Sequence, residues 1–193
     1  EAPLITSSGN LTLTNCTLQH NTLNNTNASF GIGGAVYVSS VTFTMNNSSI
    51  INCSANENGG AVYVSGGTFT MNGDGTISDC KANYGGAVYI TDGGTFTMND
   101  DASIRNCNAT NSGGGVWMNK GSSFTMSGGK IERCSSKSEG GGVYVTDSSN
   151  PCTFKMLESA TITGCSAVNG GAVYVSGGTF TMNNSLGSYC EAN

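Results

Sequence analysis

Gly59-Gly60-Ala61-Val62-Tyr63-Val64-Ser65-Gly66-Gly67-Thr68-Phe69-Thr70-Met71-Asn72, followed by Ile77-Ser78-Asp79-Cys80, decides the fold, because the same pattern returns along the chain. The Gly-Gly pair recurs at Gly33, Gly59, Gly85, Gly113, Gly140 and Gly170, which sets repeats of 26, 26, 28, 27, 30 and 24 residues, the last ending at Asn193. Self-similarity at this period, with short apolar segments, is the signature of a solenoid. Within a repeat the segments Ala-Val-Tyr-Val and Thr-Phe-Thr-Met alternate apolar and polar residues, so they read as strands rather than helices. A third strand is expected to centre on Ile-x-x-Cys. Three strands per turn, none able to bury its own apolar face, predict a stack of triangular coils.

The fold class is therefore an all-β parallel β-helix of about seven three-strand coils, with no capping helix. Its coils run 1–32, 33–58, 59–84, 85–112, 113–139, 140–169 and 170–193, all in a single domain. The first coil is laid on the repeat by aligning Leu4-Ile5 with Tyr89-Ile90, Leu11 with Phe96 and Leu13 with Met98. Leu18-Gln19-His20-Asn21 then falls on Ile-x-x-Cys, and Cys190-Glu191-Ala192-Asn193 falls on Cys53-Ser54-Ala55-Asn56. Beginning Glu1-Ala2-Pro3 without an apolar leader, the chain reads as a mature one.

Composition agrees. Hydrophobic residues make up 37% of 193, enough for a narrow core. Only 10% are charged, the net charge is −5, and no basic run provides the footprint of a nucleic-acid partner. No apolar run approaches the roughly 20 residues of a membrane span, so no membrane insertion is expected. Although Gly, Ser, Thr and Asn abound, the apolar residues recur in register, which disordered sequence does not do.

Inward rows are assigned to Val36, Val62, Val88, Val116, Val143 and Val173, and to Val38, Val64, Ile90, Met118, Val145 and Val175. The second strand adds Phe43, Phe69, Phe96, Phe124, Phe154 and Phe180, and Met45, Met71, Met98, Met126, Met156 and Met182. Ile50, Ile77, Ile104, Ile131 and Ile162 complete the set. By alternation the outer face of the first strand carries Ala or Gly and then the aromatic ladder Tyr37, Tyr63, Tyr89, Trp117, Tyr144 and Tyr174. Its rings either lie over the small neighbours and shield the strand, or present a lateral-contact or sugar-stacking surface. The reversed choice, Tyr inside, is the alternative.

Cys53, Cys80, Cys107, Cys134, Cys165 and Cys190 occupy one repeat position and form a cysteine ladder. One ligand per coil does not converge into a tetrahedron, so no metal is expected. Stacked at the strand spacing of about 4.8 Å the β-carbons sit slightly too far apart for a disulfide, so either a small shift bridges neighbours such as Cys53 and Cys80, or the thiols pack reduced. Cys16 and Cys152 lie off the ladder and are candidates for bonds between chains. Sequons for N-glycosylation stand at Asn10, Asn15, Asn24, Asn27, Asn46, Asn47, Asn52, Asn108 and Asn183, seven of them before residue 53.

No catalytic constellation is visible: His20 is the one histidine and no base is placed beside a chosen nucleophile, so no catalytic residue, enzyme activity or cofactor is assigned. Asp74 with Asp100 and Asp101 reads as a solvated turn before a calcium site. Asp92, Lys120 and Asp147 share one position on successive coils, an ion-pair ladder. Thr42/Thr44, Thr68/Thr70, Thr95/Thr97 and Thr179/Thr181 project as two columns, interrupted by Ser123 and Lys155, a surface that resembles the ice-binding face of β-solenoid antifreeze proteins.

Gly-Gly-Ala-Val followed by Phe-x-x-Asn, from Phe43 to Asn46, Phe69 to Asn72, Phe96 to Asn99 and Phe180 to Asn183, resembles the GGA[ILV] and FxxN repeats of polymorphic outer membrane proteins and adhesin-like β-helix surface proteins. Ser127 and Leu157 depart from the second motif. The resemblance implies a right-handed β-helix, extracellular or at the cell surface, in an adhesive or filamentous role. The leading expectation is a structural subunit that stacks head to tail with itself, Ala2, Leu4, Ile5, Leu11 and Leu13 meeting Val173, Val175, Phe180, Met182 and Cys190. The alternative is an adhesin holding glycans or a host surface on the aromatic ladder.

Overall fold

A computed structural model describes residues 2–24, 31–147, 149–183 and 189–192, with the backbone alone at Tyr189, Cys190 and Ala192. All strand pairs in it are parallel, and no helix occurs among the described residues. One seven-stranded sheet takes a strand from each level: Ile5–Ser7, Val36–Ser39, Val62–Ser65, Val88–Thr91, Val116–Met118, Val143–Val145 and Val173–Val175. A second sheet carries the Phe-x-Met strands, such as Thr42–Asn46 and Thr68–Asn72, together with the Ile strands. Thr95–Arg105 and Ser123–Glu132 run through both of these and join them. A third, five-stranded sheet consists of Thr22–Leu23, Ser54–Ala55, Lys81–Tyr84, Asn108–Ser112 and Ser135–Ser136.

Like stacks on like throughout. Phe69 pairs with Phe43 on one side and Phe96 on the other, Met71 with Met45 and Met98, and Ile77 with Ile50 and Ile104. The inner Val, Phe, Met and Ile rows of the middle coils are fully buried, as are Cys80, Cys107 and Cys134. Five successive Phe pairs stack with centroids 4.6–4.9 Å apart and planes within 14°. Each coil thus shares its apolar surface with the next, and stability is a sum over coil interfaces rather than a property of one closed core.

The corners explain how one chain turns this often. Residues of positive φ recur in columns: Asn52 at 56°, Asp79 at 58°, Asn106 at 53° and Arg133 at 50° mark one corner, and Asn15, Asn47 and Asp100 another. Asn and Asp tolerate the left-handed region better than other side chains, which accounts for their recurrence at these corners. At the third corner Gly-Gly is a double steric requirement. Gly85 sits at φ 62°, and a β-carbon on Gly86 would come within 2.3 Å of the Gly114 carbonyl oxygen and 2.6 Å of that of Asn108.

Four expectations are corrected. The strand centred on Ile-x-x-Cys is broken, because the left-handed residue between Ile and Cys ends the Ile strand; a separate strand of the third sheet begins after Cys. Ala35, Ala61 and Ala87 face the core instead of the outside: the Gly-Gly corner delays the alternation, so both Ala35 and Val36 donate to the Ala61 carbonyl and both point inward. In the first coil Ile5 pairs with Val36 and Ser7 with Val38, so Ile5 occupies the Val88 row and not that of Ile90. There the β-branched Ile stacks on Val. Finally, Cys190 pairs with Ile162 while Ala192 pairs with Cys165, a shift of register that takes Cys190 off the cysteine ladder.

Candidate functional site

The outer aromatic ladder forms, but its geometry is not that of a sugar platform. Tyr37, Tyr63 and Tyr89 stack with centroids 5.5 and 5.1 Å apart, and Tyr89 lies 4.3 Å from Trp117 at 10°. Near-parallel planes along the coil axis place each ring face against the next ring, so ring edges rather than faces are what solvent can reach. The rings therefore cover one another, and the small neighbours they were expected to cover are inside. At Trp117 the stack breaks: Tyr144 and Tyr84 both meet the indole edge-on at 62°, at 6.1 and 5.9 Å. Trp117 is only 8% exposed, which corrects its assignment to an exposed surface; the larger indole fills the step and Tyr84 closes over it. Tyr144 and Tyr174 then resume stacking at 5.5 Å. Burial, with the charge of Asp92 and then Tyr37 adding to it, pushes the Tyr63 hydroxyl up to about 12. Burial raises Tyr89 as well.

At the two ends the apolar rows come out of cover. Leu4 is 45% exposed, Val175 39% and Met182 47%, whereas Val64 and Met71 in the middle are at 0%. Ile5, Leu11, Leu13, Leu18, Val173 and Phe180 are half-buried and packed against the core from one side only, and Ala2 is exposed. The contribution of the Cys190 side chain lies outside the described residues.

Cys53, Cys80, Cys107, Cys134 and Cys165 line one corner of the core in a column. Each thiol donates to the carbonyl two residues back, at 3.2 Å for Cys80 to Ser78 and 3.3 Å for Cys107 to Arg105. A hydrogen bond with Cys80, and burial, hold the Cys53 thiol well above its ordinary value; burial does the same for Cys107. Cys152 is buried at the position of Ser122 and Gly94 and cannot reach a second chain, contrary to expectation, whereas Cys16 is exposed. Among the described residues no group of three His, Cys, Asp or Glu side chains converges as a metal site. Asp100 instead accepts from the Gly73 amide at 2.9 Å.

Polar ladders decorate the outside. Lys120 pairs with Asp92 at 3.2 Å, while Asp147 turns to the amides of Ser149 and Asn150. Burial works to raise the Asp92 carboxyl, but hydrogen bonds from Lys120 and Ser65 outweigh it and hold the group below its ordinary value. An amide ladder that the sequence reading passed over joins Asn46, Asn72 and Asn99 at 2.9 and 2.8 Å; the Phe-x-x-Asn repeat is its signal. Thr125 continues the column of Thr12, Thr44, Thr70 and Thr97, and Thr153 that of Thr42, Thr68 and Thr95 beyond Ser123.

The sequons fall on different ground. Asn46 and Asn108 are half-buried, Asn46 in the amide ladder and Asn108 against Ser135. Asn10, Asn15, Asn24, Asn47, Asn52 and Asn183 are exposed, and Asn27 lies outside the described residues. Asn52 contacts the His20 ring at 3.1 Å. With Thr22, Asp79 and Lys81 these two residues border a depression along the corner.

The family pattern described as a right handed beta helix region matches residues 69–155, which take in two whole middle coils and parts of the coils on either side. No curated protein matches the chain, and no solved structure matches it. The molecule is a right-handed parallel β-helix repeat protein, a fold consistent with a structural or adhesin-like role.

Proposed function

We propose that this β-helix serves as a structural column of an extracellular filament or surface array, its levels continued at the ends by coil-on-coil stacking with further copies. The observation that carries the reading is the like-on-like parallel register of successive coils, which makes each coil face a template for another coil. Leu4, Val175 and Met182 keep 39–47% of their surface exposed on rows that are elsewhere sealed. A terminal coil also presents strand edges whose amides and carbonyls can accept another strand. Because the two ends differ, the contact joins one face to another and propagates without closing. The column needs no catalytic residue, cofactor, nucleic acid or lipid insertion.

Negative-stain microscopy and sedimentation of the 193-residue chain over a range of concentrations test it. Concentration-dependent rods are expected, shortened by Val175→Lys with Met182→Lys. A monomer at every concentration overturns stacking between copies and leaves the ends to further coils of one polypeptide, which the mass of the native chain reads directly. Glycan adhesion through ring faces gains no support from a ladder whose faces are occupied. The threonine columns favour a second reading, ordering of surface water: inhibition of ice recrystallisation, lost on Thr70→Lys with Thr97→Lys, is its test.

A further inference from the structure

We infer that the cysteine column is an oxidative staple: adjacent thiols convert pairwise to disulfides, Cys53 with Cys80 and Cys107 with Cys134, each bond tying one coil to the next. Three observations converge on it. The thiols form one column, equivalent cysteines of successive coils stacked one above the next in a corner of the core. The backbone keeps them level, since Lys81 donates to the Cys53 carbonyl at 3.1 Å, Asn108 to that of Cys80 at 2.9 Å and Ser135 to that of Cys107 at 2.9 Å. These four cysteines also lie outside every strand, one residue after the left-handed corner.

The last point decides feasibility. Parallel strands hold equivalent β-carbons about 4.8 Å apart, and a disulfide needs about 3.5–4.5 Å. A residue inside a strand could close that gap only by bending the ladder on both sides. At a corner a few tenths of an ångström is available from the left-handed residue's own torsions.

The column holds five thiols, Cys165 being the fifth, and Cys53 lines the depression beside His20 and Asn52, so a reagent from solvent meets that end first. Below Cys53 the equivalent position is Asn21, whose carbonyl receives the Ser54 amide, so Cys53 has one thiol neighbour, Cys80. Pairing from that end consumes Cys53 with Cys80 and then Cys107 with Cys134, and leaves Cys165 outside the two bonds. The Cys134 and Cys165 thiols both lean toward the coil below, 4.0 Å from the Ile104 carbonyl and 3.9 Å from that of Ile131, so the upper thiols incline toward the Cys53 end.

The reagent is a low-molecular-weight disulfide. A column thiolate attacks one of its sulfurs and releases one small thiol; the neighbouring thiolate then attacks the mixed disulfide and releases the second. One reagent S–S bond is broken and one protein S–S bond formed, and the two electrons and two protons leave on the two small thiols. Because solenoid stability is carried by coil interfaces, each bond reinforces the step at which unwinding would otherwise begin.

The test uses the full chain carrying Cys16→Ser, treated with oxidised glutathione in urea below the unfolding midpoint, followed by peptide mapping without reduction. Cys53–Cys80 and Cys107–Cys134 linkages are expected, with a thermal midpoint that rises and falls back on adding dithiothreitol. In Cys53→Ser the pairing is expected to move by one step, to Cys80–Cys107. Column thiols that stay reduced or stop at mixed disulfides, or a Cys53→Ser variant whose linkages do not move, overturn the proposal. A column that collapses on the substitution is separated by Cys53→Ala, which keeps the small apolar volume and the same expected shift.

Discussion

Two aromatic columns run side by side up this molecule and differ in one respect. The inner column is phenylalanine at six levels and holds its spacing within 0.3 Å, from 4.6 to 4.9 Å. The outer column is tyrosine with one tryptophan, and its spacing ranges from 4.3 to 6.1 Å, with a 62° tilt at the substituted step. A ring enclosed on every side has one orientation that fills its space, so identity at each level is required. A ring with solvent beside it can tilt, and the indole is accommodated by turning its neighbours.

Removing a ring from each column gives the largest expected contrast. Phe96→Ala should cost about 3–5 kcal/mol, since it opens a cavity between two coils that cannot collapse independently. Urea unfolding followed by tyrosine fluorescence would read it; a loss similar to that of an outer ring would break the comparison. Tyr63→Ala should cost about 1–2 kcal/mol, because the ring is only partly buried and the neighbouring rings can lean together. Trp117→Tyr sharpens the point: the tilt should vanish, the near-ultraviolet dichroism should shift toward a regular tyrosine stack, and stability should change by under about 1.5 kcal/mol.

The outer column also reports on pH. Tyr63 has its folded pKa raised to about 12 against about 10 when unfolded. Its neutral form therefore contributes stability that is whole below pH 10 and is lost as pH rises through 12. Asp92→Asn should lower the Tyr63 midpoint in an ultraviolet alkaline titration by removing a nearby negative charge. The smallest effect is expected from the Asp92–Lys120 pair, both of whose side chains are about half exposed: Lys120→Ala should cost at most about 1 kcal/mol, and less in added salt.

Most of the inner architecture was legible without coordinates. Val, Phe, Met and Ile recur at fixed intervals with a period of two, and only a stack of coils buries every member of such rows at once, so sheet register and core followed together. The corners were harder to read. Whether Ala61 faces in or out depends on Gly59 taking a positive φ, and alternation says nothing about a residue that precedes the strand. The same local break ends the Ile strand at Asp79 and opens a third sheet at Lys81.

The sequence alone, then, determined the repeat, the inner rows and the columns they build, because those follow from periodicity and from the need to bury apolar surface. Only the tertiary structure decided which way Ala61 points, that Trp117 is covered by Tyr84, that ring faces are spent on one another, and that Cys190 leaves the cysteine row for that of Ile162. Each of these depends on the sign of a backbone torsion or on a side chain contributed by another coil, neither of which a single repeat encodes.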